Sequence, residues 1–302
     1  MKIICVCLSS TLQRTISFSE VKLQAVNRSQ KYRMDASGKA VNSARILSQL
    51  EEGSVTTICP LGQNNAELFI QKAKEHKLNL EYVTIPGNTR ECWTLLDRTA
   101  GTTTELVVGE PEITEDCTKA EEELLALIKK NLKTADALLL AGSRPKIWSS
   151  NLYQKIAEIT LAENKILLAD YWAEDLLQTL KTAVPSIIKI NDEEYCRTFK
   201  LNYPVQKKEL KEEITRKSKE LDNIIIVTRG TFPTYAAQKG RFMEVPTEKV
   251  KAVNTTACGD SFNAGFLYEY VKSADFEKAL QKATWAAARN AENEAPGTVC
   301  AL

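Results

Sequence analysis

Short runs of apolar residues alternate along this chain with longer stretches whose apolar positions recur at helical spacing. Residues 1–8 predict a buried strand, and residues 41–51 carry Ala44, Leu47 and Leu50 on one helical face. A second strand is expected over 54–60, a helix over 66–77 and a third strand over 80–85. Residues 91–96 and 103–108 predict a hairpin turning at Arg98-Thr-Ala-Gly101. After a charged helix over 118–131 come 137–140, 166–169, 187–190 and 224–227, each four apolar residues or nearly so. Continuous apolar strands separated by helix-length segments predict an α/β fold, a mostly parallel sheet covered by helices on both faces. Ligands of such sheets bind beyond the C-terminal strand ends, where this chain has Gly142-Ser143, Asp170, Asn191 and Thr228-Arg-Gly230. No internal repeat or long linker interrupts the pattern. The whole chain, 1–302, is therefore expected to form one domain, with residues of about 9–35 and 87–109 making an excursion from it.

Composition narrows the function classes. Forty Lys and Arg against thirty-nine Asp and Glu give no field that would suggest nucleic acid or an anionic membrane, and near-neutrality favours a small-molecule enzyme. The apolar run at 1–8 turns polar at Ser9, too brief for a signal peptide or a membrane span, so a cytoplasmic protein is expected. Eight scattered cysteines, with Cys5 and Cys7 alternating along a strand, indicate neither a zinc site nor a disulfide frame. The one histidine, His76, lies in a polar helical stretch and is expected at the surface.

The stretch from Asn254 to Phe266 is where chemistry is expected. Small residues 255–259 turn into a helix predicted to start near Asp260, and such a junction points free backbone N–H groups at one spot suited to a phosphate. Asp260 placed there is either a helix N-cap or a base for an incoming hydroxyl. Cys258, beside the helix start, is expected to have a lowered pKa. Asn191 and Glu194, three apart, either close a capping box or orient a hydrated Mg²⁺. Thr228 and Gly230 could admit a nucleotide to the backbone. Ser37 and Gly38 could do the same for a sugar, with Lys39 and Asn42 presenting a charge and an amide, although the spacing is not that of a Walker A loop. Arg28 and Arg90, in the excursion, could clamp a phosphate through bidentate contacts, although arginines so placed are more often solvated surface charges.

Taken together and in order, these motifs resemble the PfkB (ribokinase-like) carbohydrate kinases, nearest the 1-phosphofructokinase and tagatose-6-phosphate kinase branch, over essentially the whole length. Thr256-Ala-Cys-Gly-Asp-Ser-Phe262 is similar to the family's C-terminal signature with its GAGD core. By that resemblance Asp260 is the base that deprotonates the sugar hydroxyl, and the amides of Ala257, Cys258 and Gly259 form the anion hole. Ala36-Ser-Gly-Lys-Ala-Val-Asn-Ser-Ala-Arg45 is similar to the N-terminal sugar-binding signature, usually a Gly-Gly-Lys-Gly turn. Gly142-Ser143 before Pro145 resembles the GS-x-P turn, Lys189 to Glu194 the KPNxxE element, and Thr228 to Gly230 the strand-end nucleotide turn. Arg28 and Arg90 stand where the branch keeps arginines for the phosphate already on its substrate. Residues 283–290, including Ala287 and Asn290, with Ala295-Pro-Gly297, resemble the wall of the adenine pocket. The resemblance implies a three-layer α/β/α fold with a small β-sheet lid built from the excursion, a homodimer through that lid, ATP and Mg²⁺ as cofactors, and a phosphorylated ketohexose as substrate, fructose 1-phosphate first.

Three departures accompany the match. Gln13 stands at the position of the branch's sugar-binding Asp, Ser37 replaces a Gly, and Ala257 replaces the first Gly of GAGD. Arg144 and Lys146 add positive charge around Pro145. A tagatose-6-phosphate kinase, a kinase of an unphosphorylated sugar or nucleoside, and a non-catalytic sugar- or nucleotide-binding protein remain as alternatives.

Overall fold

The computed structural model describes residues 1–110 and 112–300. Strand β1 (Ile3–Val6) shows why the apolar runs are continuous: Ile3 and Cys5 enter one apolar cluster while Ile4 and Val6 enter another on the opposite face. The chain then leaves the main sheet for β2 (Thr11–Phe18) and β3 (Tyr32–Ser37) and returns in α1 (Lys39–Leu50). It continues through β4 (Val55–Gly62), α2 (Ala66–Glu75) and β5 (Leu80–Ile85), and departs again in β6 (Arg90–Asp97) and β7 (Thr102–Val107). Next follow α3 (Thr118–Leu132), β8 (Ala137–Ala141), α4 (Leu152–Ala162), β9 (Ile166–Asp170), α5 (Ala173–Thr179), β10 (Ile187–Asn191), α6 (Asp192–Phe199), α7 (Lys207–Glu220) and β11 (Ile224–Arg229). The chain ends in a hairpin, β12 (Phe232–Gln238) and β13 (Arg241–Val245), and two helices, α8 (Cys258–Ser273) and α9 (Phe276–Ala291).

The nine-stranded sheet runs β13-β12-β11-β10-β9-β8-β1-β4-β5 and is parallel except at the β12–β13 edge. Helices α1, α2, α8 and α9 cover one face and α3 to α7 the other. A separate four-stranded sheet runs β3-β2-β6-β7; its central β2–β6 pair is parallel and the outer pairs are antiparallel. Its strands leave the main sheet after β1 and after β5, so it stands beyond the C-terminal strand ends. No helix among the described residues is long and apolar enough to cross a membrane.

The antiparallel edge was not expected. Pro233 and the short side chains of Ala236 and Ala237 give 232–238 a weak strand signal, and β13 is half exposed. The tight Lys239-Gly240 turn, with φ of 49° and 87°, supplies the left-handed pair that a two-residue hairpin needs. His76, expected at the surface, caps the end of α2 and is half-buried, its Nε2 2.9 Å from Asp35 Oδ1 on β3.

Helices α8 and α9 pack tightly at Gly265. A β-carbon there would lie 2.7 Å from the Lys282 carbonyl oxygen and 2.9 Å from Ala286 Cβ. Gly265→Val should therefore cost about 2–3 kcal/mol, read as a lower urea midpoint at unchanged slope. An unmoved midpoint would mean that the crossing yields to a larger side chain.

Candidate active site

The site begins where α8 begins. Ala257 is the N-cap, in the left-handed region at φ 65° and ψ 11°, with no side-chain capping bond. An alanine there carries a strain of roughly 1 kcal/mol that glycine would not. The loop before it is held from three sides: Asn254 Oδ1 accepts from Thr256 N at 3.0 Å, Asn254 Nδ2 donates to the Glu294 carbonyl at 2.9 Å, and Asn290 Nδ2 donates to the Thr256 carbonyl at 2.8 Å. Cys258 N–H makes a 3.3 Å bond to the Thr255 carbonyl, whereas among the described residues no protein acceptor takes the amides of Ala257 and Gly259. With the Asp260 amide, which likewise meets no protein acceptor among the described residues, three open donors thus sit at the positive end of a sixteen-residue helix.

Asp260 lies one turn in, at the third helical position, so it is not the cap that its sequence position allowed. It is 7% exposed and faces across to α1, where Asn42 Nδ2 donates to its Oδ2 at 2.9 Å. Ser43 Oγ, also on α1, donates to the Asp260 backbone carbonyl at 2.8 Å. Burial pushes the Asp260 carboxyl up to about 6; the Asn42 bond works against this, the neighbouring Asp170 adds to it, and Lys39 and Lys189 partly offset it.

The lysines do not pair with Asp260 because both are engaged elsewhere. Asp170, at the end of β9 and 1% exposed, receives Lys39 Nζ at 2.9 Å, Lys189 Nζ at 3.1 Å and Asn263 Nδ2 at 2.6 Å. Burial alone would raise its pKa, but Lys189 and Lys39 hold the carboxyl well below the usual carboxylate range. Asp170 in turn is the largest influence raising the pKa of Lys39. Sequence reading noted Asp170 as a strand end and left it out of the candidate site; the signal it carried was a charge closing the apolar run Leu167-Leu-Ala169.

Lys39 follows Gly38, whose φ of 126° only glycine tolerates well, and a β-carbon at Gly38 would come within 2.6 Å of Cys7 Sγ. Ser37, the last residue of β3, is buried and donates from Oγ to Asn42 Oδ1 at 2.9 Å. Lys189 borders the helix start closely enough that a β-carbon at Gly259 would lie 3.0 Å from its Nζ. Asn191 and Glu194 close the capping box: Glu194 N donates to Asn191 Oδ1 at 2.8 Å and Asn191 N to Glu194 Oε2 at 2.9 Å. The other Glu194 oxygen stands 3.8 Å from Lys39 Nζ. Thr228 is the register neighbour of Asn191, and exposed Gly230, at φ 59°, follows β11. Ser143 is exposed after Gly142, whose N–H donates to the Asp170 carbonyl at 3.1 Å. Ala287 is half-buried on α9, and the Asn290 amide is engaged by Thr256 and, through Oδ1, by Gly297 N at 2.7 Å.

The two arginines part company. Arg90 reaches a crevice lined by Ser9, Ser10, Thr89, Glu110 and Pro145, bonding Thr11 Oγ1 at 3.0 Å and pairing with Glu110 at 3.1 Å; Ser9 Oγ also donates to Glu110. Arg28 is exposed in the loop joining the Phe18 end of β2 to β3, while Thr11 and Ser37 pair at the opposite, cleft end. One chain therefore does not bring Arg28 to the cleft. Gln13 is half-buried with Nε2 on Thr94 Oγ1 at 3.0 Å, and Arg144 is engaged by Asp175 at 2.9 Å. The expected low pKa of Cys258 is reversed: burial pushes the thiol up, the Asn290 contact lowers it only in part, and Asp260 raises it further.

A model of the pfkB family of carbohydrate kinases matches residues 3–300. The tagatose-6-phosphate kinase of Staphylococcus epidermidis is 27% identical over 299 residues, covering 97% of this chain and 94% of that protein. Phosphofructokinase-2 from Escherichia coli in complex with substrates and products superposes with a TM-score of 0.88 at 17% identity, covering 97% of this chain and 94% of its own. The tetrameric inhibited form of the same enzyme gives 0.86 at 16% identity over 96% and 94%.

Asp170→Asn would leave Lys189 without its counter-charge. A loss of about 3–5 kcal/mol in denaturant unfolding is expected from that buried pair, with a smaller share from Lys39, whose side chain is 39% exposed. A loss under about 1 kcal/mol would show that the lysines turn to another partner.

Proposed function

The chain belongs to the pfkB family of carbohydrate kinases, and on that premise we propose that it transfers the γ-phosphoryl group of ATP to a hydroxyl of a phosphorylated ketohexose. The observation that carries the reading is the placement of Asp260, buried and without a cationic partner, in the first turn of the helix whose start leaves the amides of Ala257 and Gly259 open. An unpaired carboxylate with a raised pKa can take the proton of the attacking hydroxyl, while the amides and Lys39 and Lys189 meet the charge of the transferring phosphoryl. Fructose 1-phosphate and tagatose 6-phosphate are the first acceptors to compare, the second also named by the staphylococcal relative.

Mg²⁺ retains several waters and needs few protein ligands, so the Glu194 oxygen left free by the capping box suits a water-mediated ion, with Asn191 shaping that turn. When bound, the ion would neutralise phosphate charge. Thr228, Gly230 and Ala287 are assigned to the nucleotide side, and Ser143, Gln13 and Gly38 to the sugar side. The small sheet serves as a lid that excludes water. Its exposed apolar residues Leu23, Val26, Tyr32, Leu106 and Val107 support a homodimer through the lid, and the related phosphofructokinase-2 is itself oligomeric in its inhibited form.

One observation favours a kinase of an unphosphorylated sugar instead: the Arg90 guanidinium already faces the Glu110 carboxylate, and Arg28 is remote within one chain. A coupled ADP-release assay across phosphorylated and free ketohexoses separates the two. Under the leading reading, Glu110→Gln frees Arg90 and lowers the phosphosugar KM several-fold while leaving kcat near wild type. Turnover on free sugars only, in wild type and Glu110→Gln alike, would transfer the assignment to the second reading.

Asp260→Asn should lower kcat by about 10²- to 10⁴-fold with little change in ATP binding. In the wild type, activity should fall as pH drops through about 6, where the base becomes protonated. The same change should stabilise the fold. The native carboxyl titrates above the ordinary Asp value of 3.8, so above about 6 the folded protein bears a buried charge that Asn lacks. The thermal advantage of the variant should be full at pH 8 and gone below about pH 4. Normal turnover in a folded Asp260→Asn protein would end the assignment.

A further inference from the structure

Asn42 is 5% exposed and meets Asp260 with its Nδ2, and what fixes that end of the amide is Ser37. The serine is 4% exposed, its Oγ lies 2.9 Å from Asn42 Oδ1, and among the described residues no other side chain bonds Oδ1. A hydroxyl that donates to the carbonyl end of an amide polarises the amide and strengthens the N–H donation at its other end. The chain then reads Ser37 Oγ–H to Asn42 Oδ1, and Asn42 Nδ2–H to Asp260 Oδ2, ending on a carboxylate with which no lysine pairs. Once Asp260 is protonated the amide can reverse, with the carboxylic acid donating to the Asn42 carbonyl and Nδ2 donating to Ser37. Both arrangements satisfy every group. Only the first ends on a charge, and charge-assisted hydrogen bonds are the stronger kind.

We infer that Ser37 is a positioning residue for Asp260, its hydroxyl pinning the Asn42 amide so that the N–H₂ end addresses the carboxylate and favours its ionised form. The inference deepens the reading of Asp260 as the base and rests on it. It also gives a use to a departure: the serine occupies a place where the resembling kinases usually carry glycine, which has no hydroxyl to offer. The charged and titratable groups facing Asp260 are Lys39 and Arg45 from α1, Asp170 from β9, Lys189 from β10 and, on its own helix, Cys258. None of them bonds Ser37, so removing the hydroxyl leaves their arrangement in place.

The test compares wild type, Ser37→Ala and Ser37→Thr in the full-length protein. In Ser37→Ala the acid limb of kcat/KM should move up by about half to one pH unit, with kcat at pH 8.5 within about 3-fold of wild type, and Ser37→Thr should restore the limb. Carbon-13 NMR titration of aspartate-labelled protein, with the Asp260 resonance assigned by its loss in Asp260→Asn, should show the same upward shift without reference to turnover. Superimposable Asp260 titrations in wild type and Ser37→Ala would overturn the inference. So would an unmoved acid limb with a raised sugar KM, which would make Ser37 a sugar contact. Because the NMR midpoint is read whether or not a sugar is turned over, failure of the kinase reading and failure of this one are separate outcomes.

Discussion

The candidate site depends on one buried charge arrangement: Asp170, at the end of a central strand, takes both Lys39 and Lys189. A carboxylate 1% exposed is tolerable only because two ammonium groups and the Asn263 amide satisfy it. The same pairing keeps two cations beside the start of α8, where they add to the open amides, and keeps them from neutralising Asp260. Two carboxylates within one cleft are thereby driven apart, one held deep in its ionised form and the other left near the edge of titration. A lysine at the first position of a helix is electrostatically unfavourable, and Lys39 is explained by its partner on β9 and not by anything in α1.

The parallel sheet was legible because its strands are buried on both faces, which erases the alternation that other strands show; the runs at 137–140 and 224–227 map onto β8 and β11 within two residues. The β12–β13 edge was not, since an exposed edge strand needs no apolar run and its Lys-Gly turn is a weak hairpin signal. The order of motifs put Asp260, Asn42, Lys39 and Lys189 on one list, and the folded chain brings them together. What one sequence could not supply was the pairing across elements distant in the chain. Nothing local says that Asp170 meets residues 39, 189 and 263, or that Glu110 crosses to Arg90. Arg28 shows the opposite limit: within one chain, a residue type right for phosphate is carried by a loop at the far end of β2.

The departures from the family pattern resolve differently once torsions and partners are known. Ala257 keeps the left-handed turn that a glycine would adopt freely, so the geometry survives at the expense of strain. Ser37 does not crowd the backbone: the positive φ falls on Gly38, and the serine side chain turns inward to Asn42. Gln13 is tied to Thr94, whose hydroxyl accepts from Nε2 and has a proton it can donate to a carboxylate, so this contact does not explain the departure. Cys258 shows that proximity to a helix N-terminus is not sufficient to activate a thiol, because burial beside Asp260 acts in the other direction.

Contacts between the small sheet and the α8 loop link the two ends of the cleft. Thr256 Oγ1 donates to Glu105 on β7 at 2.8 Å, one residue before the strained Ala257, and Arg98, just past β6, pairs with Glu294, whose carbonyl accepts from Asn254. The hairpin of the small sheet is thus joined at two points to the segments that hold the amides of Ala257 and Gly259 open. Surface pairs of this kind contribute little to stability. Their effect is geometric: a displacement of the β6–β7 hairpin must either break them or carry the loop with it, so the segment before α8 cannot be positioned independently of the small sheet.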